Sequence, residues 1–220
     1  MLATTLWIIL KGRWQALVAA AILAPTFAAN IFGGNLTSFL APAMALSWWS
    51  VQVDRPRVAG VLTALGAALK IGPGALLFWL AVRREGRAIA AFAVGMAALA
   101  AVSLIGAGLQ QHLDFVSVAP GSADTAGWGG SVPGLLSELS APQTVLESSI
   151  PAVWIVGAAI IWALRRHPAW AFAASVALAV WGTPVVHFGT AGLLLAALAP
   201  LAPAPAWLRP GTSESAPQAI

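Results

Sequence analysis

Long apolar segments alternate with short polar connections along most of the chain, and this pattern predicts helices that cross a membrane. A bilayer core of ~30 Å requires about 20 apolar residues in a helix, and several segments reach or approach that length. The candidate spans are residues 14–32, 36–51, 88–109, 148–164 and 169–208. The last of them carries no formal charge but contains the turn signal Trp181-Gly182-Thr183-Pro184, so we predict a helical hairpin there.

One apolar segment, residues 58–82, differs from the others because a lysine interrupts it. Lys70 lies near its centre and is followed by Ile71-Gly72-Pro73-Gly74. A charge in the middle of a membrane segment costs at least ~2.5–3.5 kcal/mol, and such residues are usually functional. Because proline and glycine break or turn a helix, we expect a broken or re-entrant helix pair with the ammonium group at its apex. This apex is the first candidate for an anion site, with N–H groups at Pro73-Gly74 as additional ligands.

The composition supports a membrane protein without a separate soluble domain. Hydrophobic residues make up 60% of the chain and charged residues only 8%, whereas soluble domains contain about 25% charged residues. The predicted fold class is all-α: a polytopic integral membrane protein with about six to seven membrane helices, as the number of apolar segments indicates. We expect one helical domain over residues 1–208 and a disordered cytoplasmic tail over residues 209–220.

The same composition excludes several classes of function. The net charge is +4, but the basic residues form short groups between apolar runs, which is typical of topology signals and not of a nucleic-acid interface. The chain has no cysteine and three scattered histidines, which argues against disulfides, thiolate catalysis and metal sites. We therefore expect no nucleic-acid partner, no metal and no cofactor.

The positions of the basic residues favour a re-entrant course for residues 58–82. Cytoplasmic loops of membrane proteins are enriched in Lys and Arg. If residues 58–82 crossed the membrane once, the basic groups at 83–87 and 165–166 would lie on the outer side. If the segment turns back at Lys70, every Lys and Arg except Lys70 is cytoplasmic. We predict the second course, in which the connection 110–150, which has acids but neither Lys nor Arg, is an extracytoplasmic loop.

Under this topology, polar side chains converge on the outer side above Lys70. Asn35 and Thr37 follow the first predicted turn, and His187 lies in the last hairpin. An ammonium group partway down the membrane with polar residues above it suits a lipid-linked phosphate. Each residue also has a structural alternative. Lys70 can snorkel or pair with a carbonyl or an acid, Asn35 and Thr37 can cap a turn and a helix, and His187 can be a hydrogen-bonded structural histidine.

A series of short motifs follows a recognisable order. Gly34-Asn35-Leu36-Thr37 precedes a span, a basic loop and an Ala/Leu-rich helix that ends at Lys70-Ile71-Gly72-Pro73. The basic patch Arg83-Arg84-Glu85-Gly86-Arg87 comes next, and the segments 127–131 and 183–187 lie further on. This order resembles glycosyltransferase family 87, whose members are polytopic mannosyltransferases of the GT-C type that use a polyprenyl-phosphate-linked sugar. The resemblance covers roughly residues 15–205 and is closest around Lys70.

The resemblance implies inverting transfer of a hexose, with mannose expected, from a polyprenyl-phosphate donor to a lipid or glycan acceptor. The reaction would take place on the extracytoplasmic side of the plasma membrane, in a multi-pass protein. Lys70 would bind the donor phosphate, and Asn35, Thr37 and His187 would contact the substrate. GT-C enzymes carry an essential acid in the first external loop, and no residue here matches it. We therefore expect a chain that corresponds to the C-terminal part of such an enzyme, or a degenerate relative, and that is inactive alone.

A transporter or a lipid-phosphate-binding membrane subunit without catalysis is the alternative from another class. In a transporter, Lys70 would be the counter-ion of a small solute. Transporters often contain internal repeats, and the two halves of this sequence show no convincing similarity, which disfavours that alternative.

Overall fold

A computed structural model describes residues 32, 36–118, 130–183, 186 and 188–209 of the chain. In that part of the chain every regular element is a helix, which confirms the all-α prediction. The elements are α1 (Thr37–Gln52), α2 (Pro56–Leu69), a 3₁₀ turn (Gly72–Ala75), α3 (Leu76–Val82), α4 (Gly86–Val118), α5 (Val132–Glu138), α6 (Gln143–Ala163), a second 3₁₀ turn (Leu164–Arg166), α7 (Pro168–Trp181), the 3₁₀ arm (Phe188–Leu201) and a last 3₁₀ turn (Ala206–Leu208).

The predicted break at Lys70 is confirmed. Helix α2 ends at Leu69, and Lys70 is extended, with φ −159° and ψ 127°. The chain then forms the 3₁₀ turn Gly72–Ala75, with Pro73 in its first positions, before α3 begins. Pro73 leans against Gly66 one turn before the end of α2, where an added Cβ would lie 2.9 Å from the proline ring. Proline without an N–H and glycine without a side chain thus allow the sharp reversal that the sequence indicated.

The two arms of this broken hairpin return to the same end of the bundle. Gly60, near the start of α2, lies against the backbone of Ala88, near the start of α4. Further along both helices, Ala64 of α2 lies against Gly95 of α4. Helices α2 and α4 therefore run in the same direction, so the chain must turn back at Lys70 between them. This geometry agrees with a re-entrant pair, while its position in a membrane stays a prediction.

All arginines in the described part of the chain lie at this same end, which we call the basic end. The last turn of α7 lies at the hairpin tip, with Ala179 against Gly72, and α6 is antiparallel to α7, with Gly157 against Leu178. The turn between α6 and α7 therefore lies away from the tip, at the basic end. The indole N–H of Trp49, near the end of α1, donates to the carbonyl oxygens of Ala199 and Ala202 at 3.2 and 3.1 Å, which brings the end of the 3₁₀ arm to the basic end as well. These arginines are Arg55, Arg57, Arg83, Arg84, Arg87, Arg165, Arg166 and Arg209.

Large side chains fill the core between α1, α3 and α7. Trp48, Trp79 and Phe172 pack against one another, with ring centroids 5.0 to 5.6 Å apart. Leu40 and Leu76 are also buried and belong to the same apolar cluster. This cluster fixes α7 against the broken hairpin and so determines which part of the chain faces Lys70.

The last arm of the predicted helical hairpin is a 3₁₀ helix and not an α-helix. Runs of 3₁₀ helix longer than 3–4 residues are uncommon, but the burial pattern here has the matching period. One face of the arm is buried at every third position: Thr190, Leu193, Ala196 and Ala199. The small residues Gly189, Ala191, Gly192 and Ala196 allow this tight winding against α1 and α7.

Two boundaries differ from the sequence prediction. Residues 110–150 are not a continuous loop, because α4 extends to Val118 and α6 already begins at Gln143, with α5 between them. Polar residues such as Gln110 and Asp114 extend α4 beyond the apolar run because they pair with each other one helical turn apart, at 2.8 Å. The helical backbone of α4 is interrupted at Gly108, whose φ of 79° and ψ of 159° are not helical. Helix α4 therefore consists of two helical segments joined by a kink at a residue that tolerates positive φ, and this kink lies next to the predicted end of the span at residue 109.

Two helices are long and apolar enough to cross a membrane, over Gly86–Phe115 and Gln143–Ala163. Four further apolar helices in the described part are shorter: Pro56–Leu69, Gly72–Val82, Pro168–Trp181 and Gly189–Leu201. The number of membrane crossings therefore stays a prediction, as does the disordered tail, since residues 210–220 lie outside the described part of the chain.

Candidate functional site

The side chain of Lys70 reaches from the tip of the broken hairpin to the 3₁₀ arm. Its Nζ donates a hydrogen bond to the hydroxyl oxygen of Thr190 at 3.0 Å. The backbone N–H of Lys70 closes the last turn of α2 by donating to Gly66 at 2.9 Å. Lys70 is half-buried and Thr190 is fully buried, so the ammonium group lies at the edge of the packed interior and not in open solvent.

No carboxylate in the described part of the chain neutralises this ammonium group. The ion pair found there joins Arg83 and Glu85 at the basic end, at 3.5 Å. An ammonium group has three donors, and the described residues engage one of those of Lys70. A partly desolvated cation whose partner among the described residues is a neutral hydroxyl favours an anionic ligand.

Helix ends explain how the bundle tolerates this charge. Helix α2 ends at Lys70 itself, and the last turn of α7 lies against Gly72, since a Cβ on that glycine would overlap the carbonyl oxygen of Ala179. The C-terminus of a helix carries a partial negative charge, which stabilises a nearby cation. Two such ends face the tip of the hairpin, so Lys70 can remain charged without an acidic partner.

Two helix N-termini lie at the same end of the bundle as the ammonium group. Thr190 belongs to the first turn of the 3₁₀ arm, and Leu40, one turn into α1, lies within 3.8 Å of the position that a Cβ on Gly66 would take. Helix α1 and the 3₁₀ arm run in parallel, because Trp49 joins their far ends. Their partial positive charges therefore add to that of Lys70 and attract an anion.

Of the other three predicted site residues, the structure describes Thr37, whose role at the site stays a prediction. Thr37 is buried at the first turn of α1 and has a bonding partner within the protein, so it takes part in the packing at this end of α1. Asn35 and His187 lie outside the described residues, and their roles stay predictions. The expected anion contact from the N–H of Gly74 is wrong, because that N–H donates to Ile71 at 2.9 Å inside its own turn.

Two threonines lie beside Lys70 or its hairpin: Thr183, which the sequence places with His187 among the polar residues above Lys70, and Thr190, which the sequence analysis did not identify. Thr190 contacts the ammonium group directly. Thr183 follows the end of α7 and is buried, and its hydroxyl donates to the carbonyl oxygen of Val180 at 2.8 Å. Its methyl carbon would lie 3.4 Å from a Cβ added to Gly72, which places Thr183 beside the hairpin tip. In the sequence, Thr190 stands out as an isolated hydroxyl in an apolar run. Its orientation toward Lys70 depends on the 3₁₀ winding of the arm, which the sequence pattern did not indicate.

An apolar groove runs along the outer surface formed by α5, α6 and α7, with a volume of about 550 Å³. One face of α6, from Val145 to Ile160, and the facing side of α7, from Ala174 to Trp181, line this groove. Ser148 and Ser149 are its polar members in α6. Its chemistry suits a hydrocarbon chain. Among the described residues, no group of three or more His, Asp or Glu side chains could hold a metal ion.

Comparison with known proteins identifies the family. A search of curated proteins and a search of solved structures each return no match. The model of glycosyltransferase family 87 matches residues 1–186, a range that includes the broken hairpin, Lys70 and α7 but ends before the 3₁₀ arm. Since this match covers more than half of the sequence, the chain belongs to glycosyltransferase family 87.

Proposed function

We propose that this chain binds a polyprenyl-phosphate-linked hexose, with its phosphate at Lys70, as the donor-binding part of a membrane glycosyltransferase. Family membership supports a sugar donor and an acceptor. The observation that carries the choice of donor is the ammonium group of Lys70, which has a hydroxyl partner and no acidic partner among the described residues. A sugar linked through a phosphate supplies the missing negative charge.

The position of Lys70 supports a lipid-linked donor over a soluble one. Helix α2 has 14 residues and is therefore about 21 Å long, at ~1.5 Å per residue. If the basic end lies at the cytoplasmic surface, Lys70 lies about two thirds of the way through a core of ~30 Å. A phosphate at the end of a lipid chain reaches this depth without leaving the membrane, and the groove beside α6 offers an apolar surface to its chain.

In the proposed reaction Lys70 stabilises the leaving group. A hydroxyl of a lipid or glycan acceptor attacks the anomeric carbon, a new carbon–oxygen bond forms there, and the bond to the phosphate oxygen breaks with inversion. The negative charge that develops on the departing polyprenyl phosphate is neutralised by the ammonium group. The proton of the acceptor hydroxyl goes to a base that we leave unassigned, so the proposal gives this chain donor binding and names no catalytic residue.

Binding of the donor tests this proposal without requiring turnover. The full chain in lipid nanodiscs would be titrated with radiolabelled polyprenyl-phosphate mannose and, as the uncharged probe, with the corresponding polyprenol. Lys70→Met should weaken donor binding about 10- to 100-fold, since hydrogen bonds to charged groups contribute ~1.5–3 kcal/mol, and should leave polyprenol binding unchanged. Arg84→Met removes one positive charge at the basic end and is the matched control.

The same experiment separates the alternatives. Equal donor affinity in Lys70→Met and the unaltered chain would refute the proposal. If donor binding is unaffected but Lys70→Met abolishes uptake of a small anionic solute into proteoliposomes, the transporter interpretation replaces it. The same proposal includes a plasma-membrane location, a multi-pass topology and mannose as the sugar. Which side of the membrane each end of the bundle faces is tested by labelling single cysteines placed at the basic end and at Glu147.

A further inference from the structure

Thr190 connects two parts of the chain that are far apart in sequence. It lies 120 residues after Lys70, whose ammonium group it contacts at 3.0 Å. It also lies beyond the residues that the family model matches, which end at 186. Thr190 is fully buried, on the face of the 3₁₀ arm that is buried at every third position. Its position is therefore fixed by packing, whereas a lysine side chain is long and flexible.

The chemistry of a hydroxyl suits this position better than that of a carboxylate would. A threonine hydroxyl accepts a hydrogen bond from an ammonium group but carries no charge. It therefore restricts the direction of the ammonium group without neutralising it, and the described residues leave two donors of Lys70 for a ligand. A carboxylate in the same place would hold the lysine equally well and would compete with an incoming phosphate.

We propose that Thr190 is a positioning residue of the Lys70 site, which holds the ammonium group in the orientation that receives an anion. The identity of that anion rests on the proposed function, but the contact does not. The ordering of a flexible side chain before the ligand arrives reduces the entropy lost on binding. The site is then complete only when the tip of the broken hairpin and the first turn of the 3₁₀ arm lie together.

Three substitutions at this position and one control separate the hydroxyl from the packing. Thr190→Val keeps the volume and branching of threonine but lacks the hydroxyl, Thr190→Ala is a second hydroxyl-free variant without added bulk, and Thr190→Ser keeps the hydroxyl. Thr63→Val is the matched control, because Thr63 is also buried and donates to Ala59 within α2 at 2.8 Å. Circular dichroism and thermal unfolding of each purified variant establish that the fold is retained.

Two measurements on the full chain in nanodiscs test the proposal. The first is the affinity for polyprenyl-phosphate mannose, which we expect to fall about tenfold in Thr190→Val and Thr190→Ala, a change equivalent to ~1.4 kcal/mol. The second is the rate at which an N-hydroxysuccinimide ester acylates Lys70, read by mass spectrometry. Lys11 and Lys70 are the lysines of the sequence, so the modified peptides are easily distinguished. Release from Thr190 should speed acylation at Lys70, and Thr190→Ser should match the unaltered chain in both measurements.

The outcomes distinguish this inference from the proposed function. If the unaltered chain does not bind the donor, but the hydroxyl-free variants still accelerate acylation and serine restores it, the proposed function fails and the positioning role stands. If the unaltered chain binds the donor, and both hydroxyl-free variants behave like Thr63→Val in both measurements, the positioning role fails and the proposed function stands. Equal loss in Thr190→Ser and Thr190→Val would show that packing matters and the hydroxyl does not, which also refutes the inference.

Discussion

The contact between Gly72 and helix α7 offers a test of how the broken hairpin is held in place. An added Cβ at Gly72 would overlap the carbonyl oxygen of Ala179, and it would lie 3.2 Å from the carbonyl carbon of Ala179 and 3.4 Å from the methyl carbon of Thr183. The atom in the way belongs to the backbone of a buried helix, so it cannot rotate aside as a flexible side chain would. Gly72→Ala must therefore push the hairpin tip away from α7.

Gly74→Ala is the matched comparison, two residues further along the same 3₁₀ turn. There the nearest atom would be the Cβ of Ala67 at 3.5 Å, an ordinary contact. Overpacking costs about 1–3 kcal/mol, and the rigid neighbour places Gly72→Ala toward the upper limit. Gly74→Ala should instead stabilise by about 0.4–1 kcal/mol, because alanine lowers the entropy of the unfolded chain. The two variants should thus differ by about 3 kcal/mol in the free energy of unfolding.

Thermal unfolding of the two variants in the same detergent measures this difference. For a chain of this size, 1 kcal/mol corresponds to about 2–4 °C in Tm, so Gly72→Ala should melt roughly 6–12 °C below Gly74→Ala. Donor binding should fall in Gly72→Ala as well, because the displaced tip lengthens the 3.0 Å contact between Lys70 and Thr190. A Gly72→Ala variant that is as stable as Gly74→Ala would refute the close approach of the hairpin tip to α7.

Two further predictions concern other close contacts and turns. Gly60→Ala should destabilise the fold by about 2–3 kcal/mol, because its Cβ would overlap the carbonyl oxygen of Ala88 and lie 3.0 Å from the Cβ of Ala91. A Cβ at Gly86 would meet no atom within 4 Å, so Gly86→Ala should, like Gly74→Ala, stabilise the fold by about 0.4–1 kcal/mol. Equal Tm values for the two variants would contradict this packing. Arg84 has φ 59°, a left-handed conformation that costs a residue with a side chain ~1–2 kcal/mol. Arg84→Gly removes this cost, but the larger backbone entropy of glycine in the unfolded chain offsets ~0.5–1 kcal/mol of it. The variant should therefore be more stable by about 0.5 kcal/mol. Arg84→Ala keeps the Cβ and should give no increase in Tm, so a gain in both variants would point to charge and not to backbone conformation.

The sequence was sufficient for features that depend on local chemistry. The break at Lys70 follows from Gly72-Pro73, the bounds of α1 follow from an uninterrupted apolar run, and the end of α7 at Trp181 follows from the turn residues after it. A proline without an N–H acts in the same way whatever surrounds it. The separation of the arginines from Lys70 could also be predicted, because short basic loops between apolar runs are a strong topology signal.

Features that depend on tertiary packing were missed. The contact between Lys70 and Thr190 joins residues 120 positions apart, and no local pattern identifies such a partner. The N–H of Gly74 was assigned to an anion although its own turn uses it, because the turn type was not known. Polar residues 110–118 suggested a loop, but after the kink at Gly108 they form a second helical segment, within which Gln110 pairs with Asp114.

The winding of the 3₁₀ arm has a consequence for communication between the two ends of the bundle. Nine residues separate Thr190, beside Lys70, from Ala199, beside Trp49. At 3.0 residues per turn they complete about three full turns, so both positions face the same way. At 3.6 residues per turn they would complete about two and a half turns, and one position would point away from the bundle. The arm would also shorten by roughly 7 Å over its length, since the rise per residue falls from ~2.0 to ~1.5 Å. A change of winding would therefore release either the ammonium group or the tryptophan, which makes the pitch of this single helix a mechanical link between the ammonium group of Lys70 and the basic end.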